Sequence, residues 1–97
     1  MQIGQILVSR TTEGFRMVSF YQVMRSTSNT CEIREIKKSI VSQIHDEQEV
    51  KPLKDNFISE SIRRKILPTG CIMISRNLYA WPWSGKSHWQ ASLIFIP

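Results

Sequence analysis

The amino-acid sequence predicts one mainly β domain over residues 1–97: a small antiparallel barrel or a strongly bent sheet, with an SH3-like form among the alternatives and at most one or two short helices. Three observations support this prediction. The chain has 97 residues, which is the size of a single domain. Short apolar runs are separated by turn residues about every 8–12 positions, a spacing typical of small all-β proteins. Strands and helices do not alternate along the sequence, which argues against a Rossmann-type fold.

The N-terminal part of the chain predicts three strands. Residues 4–10 form a short apolar run, and residues 15–25 alternate apolar and polar side chains as a half-buried strand does. Residues 26–29 are a polar turn, after which residues 30–36 resume the extended pattern, so we expect an antiparallel hairpin. On the exposed side of this hairpin we expect Tyr21, Arg25 and Arg34.

Two later segments fit either a strand or a helix. In residues 32–45 four isoleucines recur at a helical spacing. Ile and Val are β-branched and no capping box precedes the run, so a strand is preferred while a helix stays open. In residues 56–67 three isoleucines lie four positions apart, which suits a helix face and a strand face equally. Residues 45–49 are predicted to form an acidic loop, and residues 50–53 an extended segment.

The C-terminal part predicts three more strands. They cover residues 71–75, 78–83 and 87–92. Residues 76–77 are predicted to turn between the first two. Residues 84–86 contain Gly85 and are predicted to form the tight turn of a hairpin between the last two.

The positive charge of the chain is concentrated in its last third. The sequence has 13 Lys and Arg against 8 Asp and Glu, yet residues 61–97 contain five basic side chains and no acid. The positive electrostatic field of such a segment attracts phosphate backbones or acidic protein surfaces. The alternative is that these cations pair with the acids of residues 46–49, which would cancel the field. The basic residues that we predict to bind a partner or nucleic acid are Arg63, Arg64, Lys65, Arg76 and Lys86.

The same third contains most of the large aromatic side chains. Tyr79, Trp81 and Trp83 share one face of an extended strand, and Trp89 follows. Aromatic side chains beside basic ones can stack on nucleobases or anchor a partner protein. A small protein also needs large side chains in its core, so we expect Tyr79 and Trp81 to be buried. Trp83 and Trp89 flank the predicted turn and are predicted to be exposed binding anchors.

The residues of common catalytic and metal sites are missing or scattered. His45 and His88 lie in no metal-binding spacing, and Ala80 stands where a P-loop requires its first glycine before residues 85–87. We therefore expect a protein that is not an enzyme, with no catalytic residue, metal or cofactor. The two cysteines form no CxxC pair, so we expect both to be reduced core residues.

The sequence carries no membrane or export signal that we recognise. Its longest apolar runs are far shorter than the roughly 20 residues that cross a bilayer. The first residues lack the basic region and cleavage site of a signal peptide. We expect a cytoplasmic protein without a membrane partner.

Several short motifs are spread over most of the chain. They are residues 4–6 (GQI), 20–23 (FYQV), 32–36 (EIREI), 50–52 (VKP), 62–65 (IRRK), and Gly85-Lys86 followed by Trp89 and Ser92. Together they resemble small, largely uncharacterised proteins encoded by phages and other mobile elements. The resemblance implies a small protein that acts by binding, in a host cell under attack or exchanging genes, and it carries over no catalytic residue.

Two functions follow as expectations. The first is a non-enzymatic inhibitor from a mobile element that binds a host nucleic-acid-directed defence complex stoichiometrically, as anti-CRISPR or anti-restriction proteins do. Its partner would be the host defence complex or the nucleic acid bound there. The basic charge argues against mimicry of DNA, which requires an acidic surface. The second is a small basic nucleic-acid-binding β module that uses residues 63–65 together with the tryptophans.

Overall fold

The computed structural model describes residues 1–11 and 16–91, and within these residues every helix or strand is a β-strand. The eight strands are β1 (Ile6–Arg10), β2 (Val18–Ser26), β3 (Thr30–Ile44), β4 (Glu47–Phe57), β5 (Ile62–Lys65), β6 (Ile72–Ser75), β7 (Leu78–Pro82) and β8 (His88–Ala91). The prediction of a mainly β fold is confirmed. No helix long and apolar enough to cross a bilayer occurs in the described residues. Residue 15 of the second predicted strand and residue 92 of the last lie outside them.

The strands form one antiparallel sheet that bends back on itself. Its order is β6-β7-β1-β2-β3-β4-β8, and β5 pairs with β3 beside this path. β5 also meets β6, at the far end of the path, through an isolated bridge between Ile66 and Ile72. The sheet must therefore curl to bring β5 next to β6. Because this bridge is the only strand pairing between β5 and β6 in the described chain, the sheet is bent but not closed into a barrel.

A first hydrophobic core fills the inside of this curl. In the register of β1 and β2, Leu7 lies opposite Tyr21, and both side chains point into the core. Tyr21 is only 8% exposed, so the prediction that it lies on the surface is wrong. Burial, followed by the nearby charge of Glu35, raises the pKa of its hydroxyl. Cys31 and Cys71 are buried and unpaired, as predicted for reduced core cysteines.

A second core covers the opposite face of β1 and β2. Val8 lies opposite Phe20 in the register, one residue out of phase with the first core. Phe20 is fully buried and packs with Val50 of β4, while Trp83 covers it from the segment after β7. Both faces of β2 are therefore buried. The alternation expected for a half-buried strand fails because the curl of the sheet covers the Tyr21 face, while β4 and the β7–β8 segment cover the Phe20 face.

The segment that fitted both a strand and a helix forms the long strand β3. Its first half pairs with β2 and its second half with β4. The register brings Ile44 opposite Glu47, which leaves a turn of only two residues, His45 and Asp46. His45 adopts a left-handed φ of 53°, as such turns require. The loop predicted for residues 45–49 is thus shorter than expected, because strand pairing begins at Glu47.

The chain after β4 differs from expectation at the last turn. Residues 62–65 form a strand, which settles the ambiguity of residues 56–67 against a helix. β6 and β7 pair through the predicted turn at residues 76–77. The predicted hairpin between β7 and β8 is wrong, because β7 pairs with β1 and β6, whereas β8 pairs with β4. Residues 83–87 therefore cross from one layer to the other.

Buried polar groups fix β8 in this second layer. The side-chain oxygen of Gln90 accepts hydrogen bonds from the backbone N–H of Val18 at 3.2 Å and from Lys38 Nζ at 2.7 Å. Its amide nitrogen donates to Gln48 Oε1 at 3.3 Å. Burial lowers the pKa of Lys38, against the opposing effect of Glu35. The network ties β2, β3, β4 and β8 together, since a buried polar group is costly when it lacks a partner.

Candidate functional site

The surface that collects aromatic and basic side chains lies outside the curl, on β5, β6, β7 and β1. On β6 and β7, Ile72 and Ala80 are opposite each other and point into the first core. Their neighbours Met73 and Tyr79 are also opposite each other and point outward, where they are 44% and 40% exposed. Strand alternation therefore gives this side of the sheet an apolar, aromatic centre.

The basic strand β5 lies at one end of this surface. Its exposure alternates, with Arg63 and Lys65 exposed and Arg64 half-buried. Arg64 Nε donates to the carbonyl of Ile74 at 2.9 Å, so this guanidinium ties β5 to β6. From the bridge between residues 66 and 72, the antiparallel register brings Lys65 beside Met73.

β1 supplies a cation at the other end. Trp81 lies opposite Val8 and is 49% exposed. Continuing this register by one pair beyond Ser9 and Ala80 places the exposed Arg10 beside Tyr79. A row thus crosses four strands from Lys65 to Arg10, roughly 14 Å at about 4.8 Å per strand. We call this surface the outer face: Arg10, Arg63, Lys65, Met73, Tyr79 and Trp81.

No acidic residue is present on the four strands of the outer face. The nearest strand with one is β3, where Glu32 lies opposite Arg63. The Glu32 carboxylate also lies 4.0 Å from Arg25 Nε, so its charge is shared between Arg25 and Arg63. The acids of residues 46–49 are on the β3–β4 hairpin, and the described residues show no ion pair between them and β5. In the described chain those acids therefore do not pair with the basic strand β5; they lie beside β8, where Glu49 accepts a hydrogen bond from Ser87.

A groove of about 540 Å³ borders the outer face where β1 and β7 meet the second layer. Its lining residues are Val8, Arg10, Asn77, Tyr79, Trp81, Pro82, Ser84 and His88. The His88 ring packs edge-on against Phe20, with centroids 6.1 Å apart. Burial, followed by the positive charge of Arg10, lowers the pKa of His88, which favours the neutral imidazole.

The exposure of the aromatic side chains differs from what the sequence suggested. Tyr79 and Trp81, expected in the core, are among the exposed large side chains. Trp83, expected outside, is half-buried, packs on Phe20 at 6.3 Å and donates its indole N–H to the Lys86 carbonyl at 2.7 Å. Trp89 is half-buried on β8. The cause is the crossing of residues 83–87, which puts these two tryptophans in the second layer.

The predicted basic residues are divided by the fold. Arg63 and Lys65 lie on the outer face, while Arg64 is engaged by backbone carbonyls. Arg76 is exposed in the β6–β7 turn, next to Asn77 of the groove. Lys86 is exposed on the crossing segment, two residues after a groove residue.

Sequence reasoning missed Arg10, Met73 and the groove. Arg10 and Tyr79 are 69 positions apart, and only the pairing of β1 with β7 brings them together. The sequence feature that points to this surface is the alternation of Tyr79 and Trp81 on one strand face, although we expected both side chains in the core.

Among the described residues, no three His, Cys, Asp or Glu side chains come close enough to hold a metal ion. Comparison of the chain with protein-family models, curated proteins and solved structures gave no significant match.

Proposed function

We propose that this chain is a non-enzymatic binding protein that holds single-stranded nucleic acid on its outer face. The observation that carries the proposal is the row from Lys65 through Met73 and Tyr79 to Arg10, with Trp81 beside it and no acid on the four strands. Exposed aromatic side chains between cations match the two needs of a single strand, which are stacking for its bases and positive charge for its phosphates.

The arrangement favours a single strand over a duplex for a geometric reason. Tyr79 and Trp81 lie on the sheet and border a groove, so a base reaches their rings only when it is unpaired. Met73 extends the apolar centre towards β5. Stacking on an aromatic side chain contributes about 1–3 kcal/mol per base, and each cation that contacts a phosphate makes affinity more dependent on salt.

The test is a titration of fluorescently labelled single-stranded oligonucleotides, with a duplex of the same sequence for comparison. We expect the single strand to bind more tightly than the duplex. Replacement of Trp81 by Ala should weaken binding about tenfold or more, which corresponds to the stacking energy above. Lys51→Gln, which changes an exposed lysine of β4, is the control and should leave affinity within about twofold. Equal affinities of wild type, Trp81→Ala and Lys51→Gln would contradict the proposal.

A second candidate is the stoichiometric inhibitor of a host nucleic-acid-directed defence complex, encoded by a mobile element and acting in the host cytoplasm. One observation favours a protein partner: Ile40, Val41 and Ile44 of the β3–β4 hairpin are each about half exposed. Exposed apolar side chains grouped on one element are typical of protein interfaces. A protein partner held there would stay bound at high salt, whereas a nucleic acid on the outer face would dissociate.

This second function has its own test. The purified protein is used to retain partners from host lysate at low and high salt, and the retained complex is assayed for its nuclease activity. Inhibition at a one-to-one ratio that persists at high salt and is lost in Ile40→Lys would support it. Retention of nucleic acid alone, released by salt, would contradict it.

A further inference from the structure

The groove beside the outer face differs from the flat sheet in being concave. At about 540 Å³ it is within the size range of small-molecule sites, roughly 300–1,000 Å³. Tyr79 and Trp81 supply aromatic surface, while Pro82 begins the wall that crosses to the second layer. A planar aromatic ligand fits this shape, because it can lie against the exposed rings with its edge towards the wall.

Among the described lining residues, Arg10 is the only Lys or Arg. It ends β1 and is exposed, and in the described part of the chain no carboxylate lies within ion-pair distance of it. A guanidinium in this position can bind two oxygens of one phosphate. The described lining residues include no acid that would repel an anion.

The wall opposite the sheet carries neutral hydrogen-bonding groups. His88 is held by its packing on Phe20, and its neutral ring offers one donor and one acceptor nitrogen. Ser84 of the crossing segment adds a hydroxyl, and Asn77 adds an amide from the β6–β7 turn at the sheet side. Such groups suit the edge of a nucleobase, which presents both donors and acceptors.

We propose that the groove is a nucleotide pocket that binds one nucleoside monophosphate unit, with its base against Tyr79 and Trp81 and its phosphate on Arg10. This inference rests on the proposed function, and it adds that the pocket prefers a terminal nucleotide bearing a phosphate monoester. An internal phosphodiester carries one negative charge, whereas a monoester carries about 1.5 to 2 at pH 7. Arg10 therefore attracts a phosphorylated strand end, or the free nucleotide, more strongly than the interior of a strand.

The probes are the four free nucleoside 5′-monophosphates, the matching nucleosides, and one oligonucleotide with a 5′-phosphate, a 3′-phosphate or neither. Binding is measured by calorimetry and by the rise in melting temperature of the wild-type protein. We expect monophosphates to bind and nucleosides to bind about tenfold more weakly or not at all. Either the 5′-phosphorylated or the 3′-phosphorylated oligonucleotide should bind more tightly than the unphosphorylated one. The position of the phosphate in the tighter-binding oligonucleotide identifies which strand end enters the groove.

Two variants separate the groove from the rest of the outer face. Arg10→Gln should weaken monophosphate binding about tenfold or more, while Lys65→Gln, three strands away, should leave it unchanged and weaken only the oligonucleotide. If oligonucleotides bind equally with and without end phosphates and monophosphates do not bind, the nucleotide pocket is refuted while the proposed function stands. If no oligonucleotide binds either, both are refuted. The wild-type thermal shift decides the question even where a variant fails to fold.

Discussion

Replacing either of two neighbouring cations of β5, Arg64 or Lys65, by Gln removes one positive charge, but the two replacements should affect different properties of the protein. Arg64 donates from Nε to the Ile74 carbonyl at 2.9 Å and from Nη1 to the Arg63 carbonyl at 2.8 Å. Lys65 is exposed on the outer face. We therefore expect Arg64→Gln to cost stability and Lys65→Gln to cost binding.

The size of each effect follows from these contacts. A hydrogen bond from a charged donor contributes about 1.5–3 kcal/mol, and the half-buried position of Arg64 puts its bond to Ile74 near the lower value. A loss of about 1.5 kcal/mol lowers the melting temperature of a domain of this size by roughly 6–12 °C. Lys65→Gln should change stability by less than about 0.5 kcal/mol.

Binding provides the second measurement. Each phosphate contact adds about 0.7 to the slope of log affinity against log salt for a single strand. Lys65→Gln should reduce that slope by about this amount, and Arg64→Gln should leave it unchanged at a temperature where the variant is folded. Urea unfolding and a salt series of oligonucleotide titrations measure the two effects. The assignment of Arg64 to structure is refuted if Arg64→Gln unfolds like the wild type and reduces the slope as Lys65→Gln does.

Three further predictions concern the cores. Phe20→Ala should destabilise the protein by about 3–5 kcal/mol in urea unfolding, because this ring is fully buried between the two layers; a loss below 1 kcal/mol would contradict the second core. The pKa of His88 is lower in the folded state, by burial and then by Arg10, so the unfolded chain binds more protons and stability should fall as pH falls through about 6.5. His88→Gln should flatten this part of the pH profile measured by urea unfolding, and an unchanged profile would rule out a contribution from His88. Thiol titration of protein denatured without reductant should find both Cys31 and Cys71 free, whereas two blocked thiols would show a disulfide.

Local patterns in the sequence predicted most of the strands and turns, but not the length of β4, and they left residues 56–67 open between strand and helix. The polar residues 26–29 and 76–77 do turn between paired strands, because their turn chemistry acts over a few residues. The strand preference of residues 32–45 was also right, since β-branched Ile and Val favour extended backbone. The separation of Arg63 and Lys65 from Arg64 follows from the two-residue repeat of a strand, but only once residues 62–65 are known to be a strand, which the sequence left open.

Burial on a given face depended on strand pairings between distant parts of the chain. Alternation predicted an exposed Tyr21, but the curl of the sheet buries it in the first core with Ile72 and Ala80, while β4 and the crossing segment cover the opposite face of β2. The same crossing decides the exposure of the tryptophans. Because β8 pairs with β4 instead of β7, the crossing segment places Trp83 on Phe20, while Trp81 stays on the outer face. The candidate site has the same origin: the absence of acid after residue 60 is visible in the sequence, but Arg10 joins Tyr79 and Trp81 only through the pairing of β1 with β7. Such pairings are selected by the packing of whole strands, a free energy that no local segment contains.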